Sequence, residues 1–540
     1  METKTESPSV TNVLTLYMSL TSLVSRSIFI TRGGGEDGDK DQQSSSSAET
    51  QIIVFKYYFF EGGAMKWRTI GLMLGLSLCV CIPALADVVM VAPPNGTDDT
   101  AVIQAALNAC VAHGPGCTVQ LAAGTYLTKQ LFAKDFYGTF KGRGMDVTII
   151  QALPNLEVSQ EVPIWASPPS VDNKYPTLIT FFGGDVHVSD MTIRELEINP
   201  FETGWYDFEG QTEPFPWMWS ILEFMGDFMM DVVVTRVAVE GMYDESQPAW
   251  DHYNSSAGIE VDPYPPLEVA FPGYLSGTFR FSACRIETVA QGIAAAVLHE
   301  ARLIIGGSPS EANLIQNCEF GAWYIALDSS TVDSSYNEVS VVGPYGYGGF
   351  VAFQSWPHPV ETPSSFLIHH NRIKATGGYE DGIWLIDFGT VFGEGKTADF
   401  VISHNNITIE PSAGIPAYAG IQSDFTEGTI FSNNKIVGRG LFGIALEGDT
   451  QAMVKANNVQ QVVADVAPIG LMINLWYDPD FVLPTTDCTV VGFGAKTNVY
   501  DEGVNNTIVG VNNKRGNPPG PAVRDAMKRK MELIKSMRKH

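Results

Sequence analysis

The alternation of apolar and polar positions is most regular between Phe366 and Val459. One phrase recurs there: an apolar residue, two variable positions, Asn, one variable position, then another apolar residue. The copies read Ile368-His-His-Asn371-Arg-Ile373, Ile402-Ser-His-Asn405-Asn-Ile407, Phe431-Ser-Asn-Asn434-Lys-Ile436 and Val454-Lys-Ala-Asn457-Asn-Val459. Each is followed by glycine and an aliphatic residue, at Gly382-Ile383, Gly420-Ile421, Gly443-Ile444 and Gly470-Leu471. Alternation along a strand sends the Ile and Val side chains inward and the residues between them outward. From Asn405 onward the copies return about every 23–29 residues, a solenoid period. Strands this short bury nothing alone, so copies must stack and share a core. Asn suits the sharp turns because its short polar side chain tolerates left-handed backbone. Stacked asparagines can also hydrogen-bond from coil to coil. The pattern predicts an all-β chain, a right-handed parallel β-helix.

The flanks fit that scaffold. Asn95-Gly-Thr-Asp-Asp-Thr100 opens an amphipathic helix running to about His113, with Thr97, Asp98 or Asp99 as its cap. Its apolar stripe is Val102/Ile103, Ala106/Leu107 and Cys110/Val111. Such a helix would cover the open edge of the first coil. Strands are expected at Thr118–Leu121 and, after the repeat loosens past Asn474, at Cys488–Gly492 and Asn506–Gly510. The tail Ala522–His540 has a helical pattern with Val523, Met527, Met531 and Ile534 on one side and many basic residues elsewhere, a short C-terminal helix that caps the last coil or is solvated.

The chain has 540 residues, which would ordinarily mean several domains. A solenoid grows by adding coils instead, so one domain over 87–515 accounts for most of it. Residues 65–86 read as a signal peptide: the basic start Met65-Lys-Trp-Arg68, an apolar run Thr69–Ile82 and an Ala84-Leu-Ala86 cleavage site. Residues 1–64 lack any folding pattern, and translation starting at Met65 is the expectation. The basic tail occupies 516–540. The destination is then outside the cytoplasm, secreted, periplasmic or extracellular, where disulfides are possible. Cys110 and Cys117 flank a His-Gly-Pro-Gly turn and are expected to pair. Cys284 and Cys318 take the Asn position of the phrase on neighbouring coils, within disulfide reach, yet with side chains pointing the same way they read as buried free thiols. The apolar run is too short for a membrane span. A net charge of −27 excludes a nucleic-acid partner and disfavours a polyanionic one without a bridging cation.

The segments NGTDDTAVIQAALNAC and CTVQLAAGTYL, then Gly138–Ile150 and Val186–Ile193, resemble the N-terminal cap and first coils of the pectin-lyase-like superfamily, the pectate-lyase-like and polygalacturonase-like proteins. The resemblance covers most of 87–515 and implies the right-handed parallel β-helix. Its matching positions are caps, turns and core, so it implies little about activity. Arg372-Ile-Lys374 matches a polygalacturonase tripeptide, but the accompanying Gly-His-Gly and Asn-Thr-Asp motifs are absent, which argues against that activity.

Candidate chemistry lies upstream of the clear repeat. Projecting outward positions from the Gly-Ile strands gives Glu223, then Glu260 and Asp262, then Asp328, clustered on one face. Further along, that face carries Gln354, Trp384, Gln422, Asp424, Glu447 and Asn474. Stacked acids repel, so a shared proton, a metal or plain solvation must explain them. Glu260 and Asp262 lie about 6.6 Å apart along one strand, compatible with a glycosidase acid/base pair. Glu223 and Asp328 would tune them or position water. Long inserts bring Trp205, Trp217, Trp219, Trp250, Tyr253 and Tyr264, flat rings that suit sugar faces or one another, and His299 follows the next coil. The reading is hydrolysis of a neutral or weakly acidic polysaccharide with no cofactor. The alternatives are a polysaccharide lyase, which would want a base such as His252, His299 or Arg302 and a Ca²⁺ or other cation, and a non-catalytic glycan-binding β-helix.

Overall fold

The computed structural model describes residues 87–510, apart from 157–176, 198–219, 244–256, 264–274, 344–347, 355–359, 378–380, 411–416, 462–468, 479–480 and 493–497. The expected signal peptide and C-terminal helix fall outside the described residues. Within them the chain is a right-handed parallel β-helix, with thirty-three strands joined in register.

Helix α1, Thr100–His113, begins where its cap signal stands. Asp98 Oδ1 accepts the Thr100 N–H at 2.9 Å. Asp99 instead ties the entry loop to the first coil, accepting from Asn95 N–H at 2.9 Å and Leu127 N–H at 3.2 Å. Ile103, Ala106, Leu107 and Cys110 are buried, whereas Val102 is exposed. Cys110 and Cys117 form the expected disulfide, with Cα atoms 5.4 Å apart.

Each later coil crosses three sheets. The first carries the outward face of interest: β1 (Thr177–Arg194), β2 (Ser220–Glu240), β3 (Ala257–Pro263), β4 (Gln291–Ala296), β5 (Phe320–Ile325), β6 (Gly348–Gln354), β7 (Ile383–Asp387), β8 (Ala417–Asp424), β9 (Gly440–Glu447) and β10 (Ile469–Asp478). Strands β1 and β2 are long enough to run on into the other sheets. Every pairing between these ten is parallel and one coil apart. The antiparallel pair among the described residues joins β10 to Phe481–Pro484. Inward positions stack as unbroken columns. Leu222, Ile259, Ile293, Ala322, Phe350, Ile383, Ile421 and Ile444 form one of them, all fully buried. The glycine that precedes this column is required by space: a Cβ on Gly420 would sit 2.5 Å from Ile436 Cγ2 of the third sheet.

The corner between the second and third sheets holds an amide ladder. Asn313, Asn337, Asn371, Asn405, Asn434 and Asn457 pass Nδ2–H to the next Oδ1 at 2.9–3.1 Å. Each Nδ2 also donates to a backbone carbonyl, as Asn405 does to Ile368 O at 2.9 Å. The left-handed residue is not the asparagine, as expected from sequence, but the one before it: Tyr336, His370, His404, Asn433 and Ala456 all have φ between 53° and 62°. Asparagine is there for its amide, which alone satisfies the coil above and the coil below at once. Cys284 takes this position one coil earlier, its N–H donating to Asn313 Oδ1 at 2.9 Å. Cys318 does not: it closes strand Leu314–Cys318 at a different corner. The two are therefore not stacked. Both are buried free thiols, and burial pushes their pKa values up to about 11 and about 12.

Candidate active site

Register brings three of the four expected acids together. Thr180, Glu223 and Glu260 face one another across β1, β2 and β3. Neighbouring strands place the two glutamates' Cα atoms about 4.8 Å apart. Asp262 follows two residues later on the same side, aligned with Met225. The inward partners Leu222, Phe224, Ile259 and Val261 fix this orientation by filling the core. Glu223 is 1% exposed and Glu260 and Asp262 are 8% exposed. Thr180 Oγ1 reaches Glu223 Oε2 at 3.4 Å.

Asp328 is elsewhere. Trp323 and Ile325 are the outward positions of β5, and the left-handed Ala326 ends that strand. Asp328 lies beyond the turn, bridged to His299 of the coil before. Its Oδ2 meets His299 Nδ1 at 3.0 Å, and its Oδ1 accepts from Thr362 N–H at 2.9 Å and Ser329 Oγ at 3.0 Å. Asp328 thus orients an imidazole instead of joining the acid stack. Trp205, Trp217, Trp219, Trp250, Tyr253 and Tyr264 lie outside the described residues.

Further along the face, apolar rings replace acids. Trp323 stacks on Phe320 at 5.0 Å, and Phe353 meets Trp384 edge-on at 5.1 Å. Gln354 falls one position out of phase with outward-facing Phe353, so it does not share the face as expected. A second polar group follows on β8 and β9. Asp424 accepts from Trp384 Nε1–H at 2.8 Å and Gln422 Nε2–H at 2.9 Å, and Tyr418 donates its hydroxyl to Glu447. Burial, then the Glu447, Asp424 and Asp381 carboxylates, hold the Tyr418 hydroxyl far above its ordinary pKa. Neither Trp323 nor Tyr418 stood out in the sequence; Trp323-Tyr324-Ile325 is apolar throughout, with no alternation to orient it.

Among the described residues, no three His, Cys, Asp or Glu side chains are arranged to hold a metal ion. No helix among them is long and apolar enough to cross a membrane.

Fold and face together define a parallel β-helix protein with an acid-lined outward sheet. No protein-family model matches the sequence, and no curated protein matches it. Among solved structures the chain is similar to the Dettilon tailspike protein, at 12% identity over 78% of this chain and 68% of that one, with a TM-score of 0.44. It is similar to the Agl-KA catalytic domain at 14% identity, covering 79% and 69% of the two chains with a TM-score of 0.37. It is also similar to DFA-IIIase from Arthrobacter chlorophenolicus A6 in complex with GF2, at 14% identity over 80% and 99%, TM-score 0.34. These likenesses are of architecture, and the strand register itself carries the fold assignment.

Proposed function

We propose that this chain acts on a polysaccharide outside the cytoplasm, hydrolysing glycosidic bonds with the carboxylates of β2 and β3. The observation that carries the reading is the direct register of Glu223 with Glu260, both buried, beside Asp262. Two carboxylates one strand apart and out of water, with a third beside them, are the arrangement in which one can carry a proton while another is ionised. A retained proton beside an ionised carboxylate is what protonation of a leaving glycosidic oxygen needs. Glu260 and Asp262 serve as the acid/base pair, and Glu223 tunes them or positions water. The Cys110–Cys117 disulfide supports an oxidising destination.

A lyase is the second reading, and the His299–Asp328 pair favours it, since a carboxylate that holds an imidazole in one orientation is how a histidine general base is positioned. One comparison separates the readings. Glu260→Gln and Asp262→Asn should each lower reducing-end release from a glycan panel by about 10²–10⁴-fold. His299→Ala should leave it nearly unchanged. If products are unsaturated sugars, and His299→Ala abolishes them, the lyase reading replaces the hydrolase. Activity that survives both carboxylate changes removes β3 from the chemistry.

A further inference from the structure

The outward face changes height beside the acids. In the column of Glu223 and Glu260 the next residues are Ala294 on β4 and Trp323 on β5. Two residues on, Ala296 of β4 aligns with Ile325 of β5. The methyl group of Ala294 therefore separates the Glu260 carboxylate from the Trp323 indole. Two strand steps place the Glu260 and Trp323 Cα atoms about 10 Å apart.

Trp323 differs from the other indole of this column. Trp384 is 1% exposed and gives its N–H to Asp424. Trp323 is only half-buried, lies flat on Phe320 at 9° between planes, and meets Phe353 edge-on at 6.2 Å. Its Nε1 is nevertheless buried and finds no acceptor among the described residues. Indole nitrogen is a donor only, and a buried donor without an acceptor is unfavourable. Packing has locked this ring's plane while its polar edge is left unsatisfied.

We infer that Trp323 is the platform for an uncharged sugar ring at the acid site, and that Ala294 and Ala296 stay small to admit the bond being cleaved. A pyranose or furanose ring offers an apolar C–H face for the exposed indole plane. Its hydroxyls donate to carboxylates. A uronate at the same place would set its charge against Glu223, Glu260 and Asp262, so the substrate class is neutral sugar. The inference rests on the proposed polysaccharide reading and narrows it.

The test compares wild type, Trp323→Ala, Trp323→Phe, Ala294→Leu and Glu260→Gln, with hexasaccharides of glucose, xylose, mannose, galactose and galacturonate as probes. Binding is read by calorimetry and turnover by reducing-end release. Trp323→Ala should weaken binding of a neutral hexasaccharide about tenfold or more, raising KM with kcat changed less than about threefold. Trp323→Phe should recover most of that affinity, because the smaller ring still offers a flat apolar face; a merely structural ring would instead show as lost stability with KM unchanged. Ala294→Leu, with the indole intact, should block binding by filling the step. Glu260→Gln should lose turnover and keep affinity. If Glu260→Gln keeps turnover while Trp323→Ala still loses affinity, the platform stands and the catalytic assignment falls. Unchanged affinity in Trp323→Ala overturns the inference. So does binding of the galacturonate probe alone, or of none of the five.

Discussion

The asparagine corner and the acid face are built on the same coils and obey opposite rules. At the corner, each Asn is satisfied by the identical residue above and below it, so repetition is the stable solution. On the outward face of β2 and β3, repetition sets Glu223 against Glu260, and like charges on adjacent strands oppose folding. The face accordingly changes character with almost every coil, from glutamate to alanine to tryptophan. Within a solenoid, a repeated residue marks the scaffold. A residue that defeats the repeat at a cost in stability marks a place where something other than stability decided.

The largest effect should come from breaking the ladder. Asn405 accepts from Asn371 N–H and Nδ2–H and donates to Ile368 O and Asn434 Oδ1. Asn405→Ala removes these four bonds and leaves the buried Asn371 N–H without its acceptor, while Asn434 Oδ1 keeps the Asn405 N–H and Asn371 Nδ2 keeps Ser334 O; it should cost about 3 kcal/mol, read from the denaturant midpoint of unfolding. A loss under about 1 kcal/mol would mean the ladder follows the fold and does not hold it.

Glu260→Gln should behave in the opposite way. Removing one of two facing carboxylates relieves repulsion, so stability should stay within about 1 kcal/mol of wild type or rise, while turnover collapses. A strong loss of stability would place Glu260 in the scaffold, and the contrast between the two regions would fail.

The smallest effect lies on the outer rim of the corner. His370 stacks between Tyr336 at 5.0 Å and His404 at 4.8 Å, with His369 Nδ1 at 2.7 Å from its own Nδ1 and Asp333 on the far side of His369. Burial, then the nearby His369 and His404, lower the His370 pKa. The unfolded chain therefore takes up this proton first. The stability this stack contributes is present above about pH 6.5 and is lost as pH falls. His370→Gln should flatten the unfolding midpoint between pH 7.5 and 5.5 relative to wild type. An unchanged slope would assign that pH dependence to other groups.

Much of this was legible in the sequence. The Asn371–Asn457 phrase and the Gly-Ile pairs predicted the stacking direction and the inward columns, and the Asn95–Thr100 cap with its apolar stripe predicted the helix that covers the first coil, because each depends only on period and side-chain type. The Cys110–Cys117 bond followed from a short turn. Glu223, Glu260 and Asp262 were found by carrying the same phase upstream, where their strands are flanked by alternating apolar residues. Other features needed the third dimension. Asp328 looked like one more outward acid, but a left-handed residue at Ala326 ends the phase and turns it toward His299. Asn was credited with a backbone geometry that belongs to its neighbour. Trp323 sits in an apolar run whose facing no local pattern sets. Its place opposite Glu260, across Ala294, follows from which strands lie side by side, and insertions of unequal length between coils hide that adjacency from anyone reading along the chain.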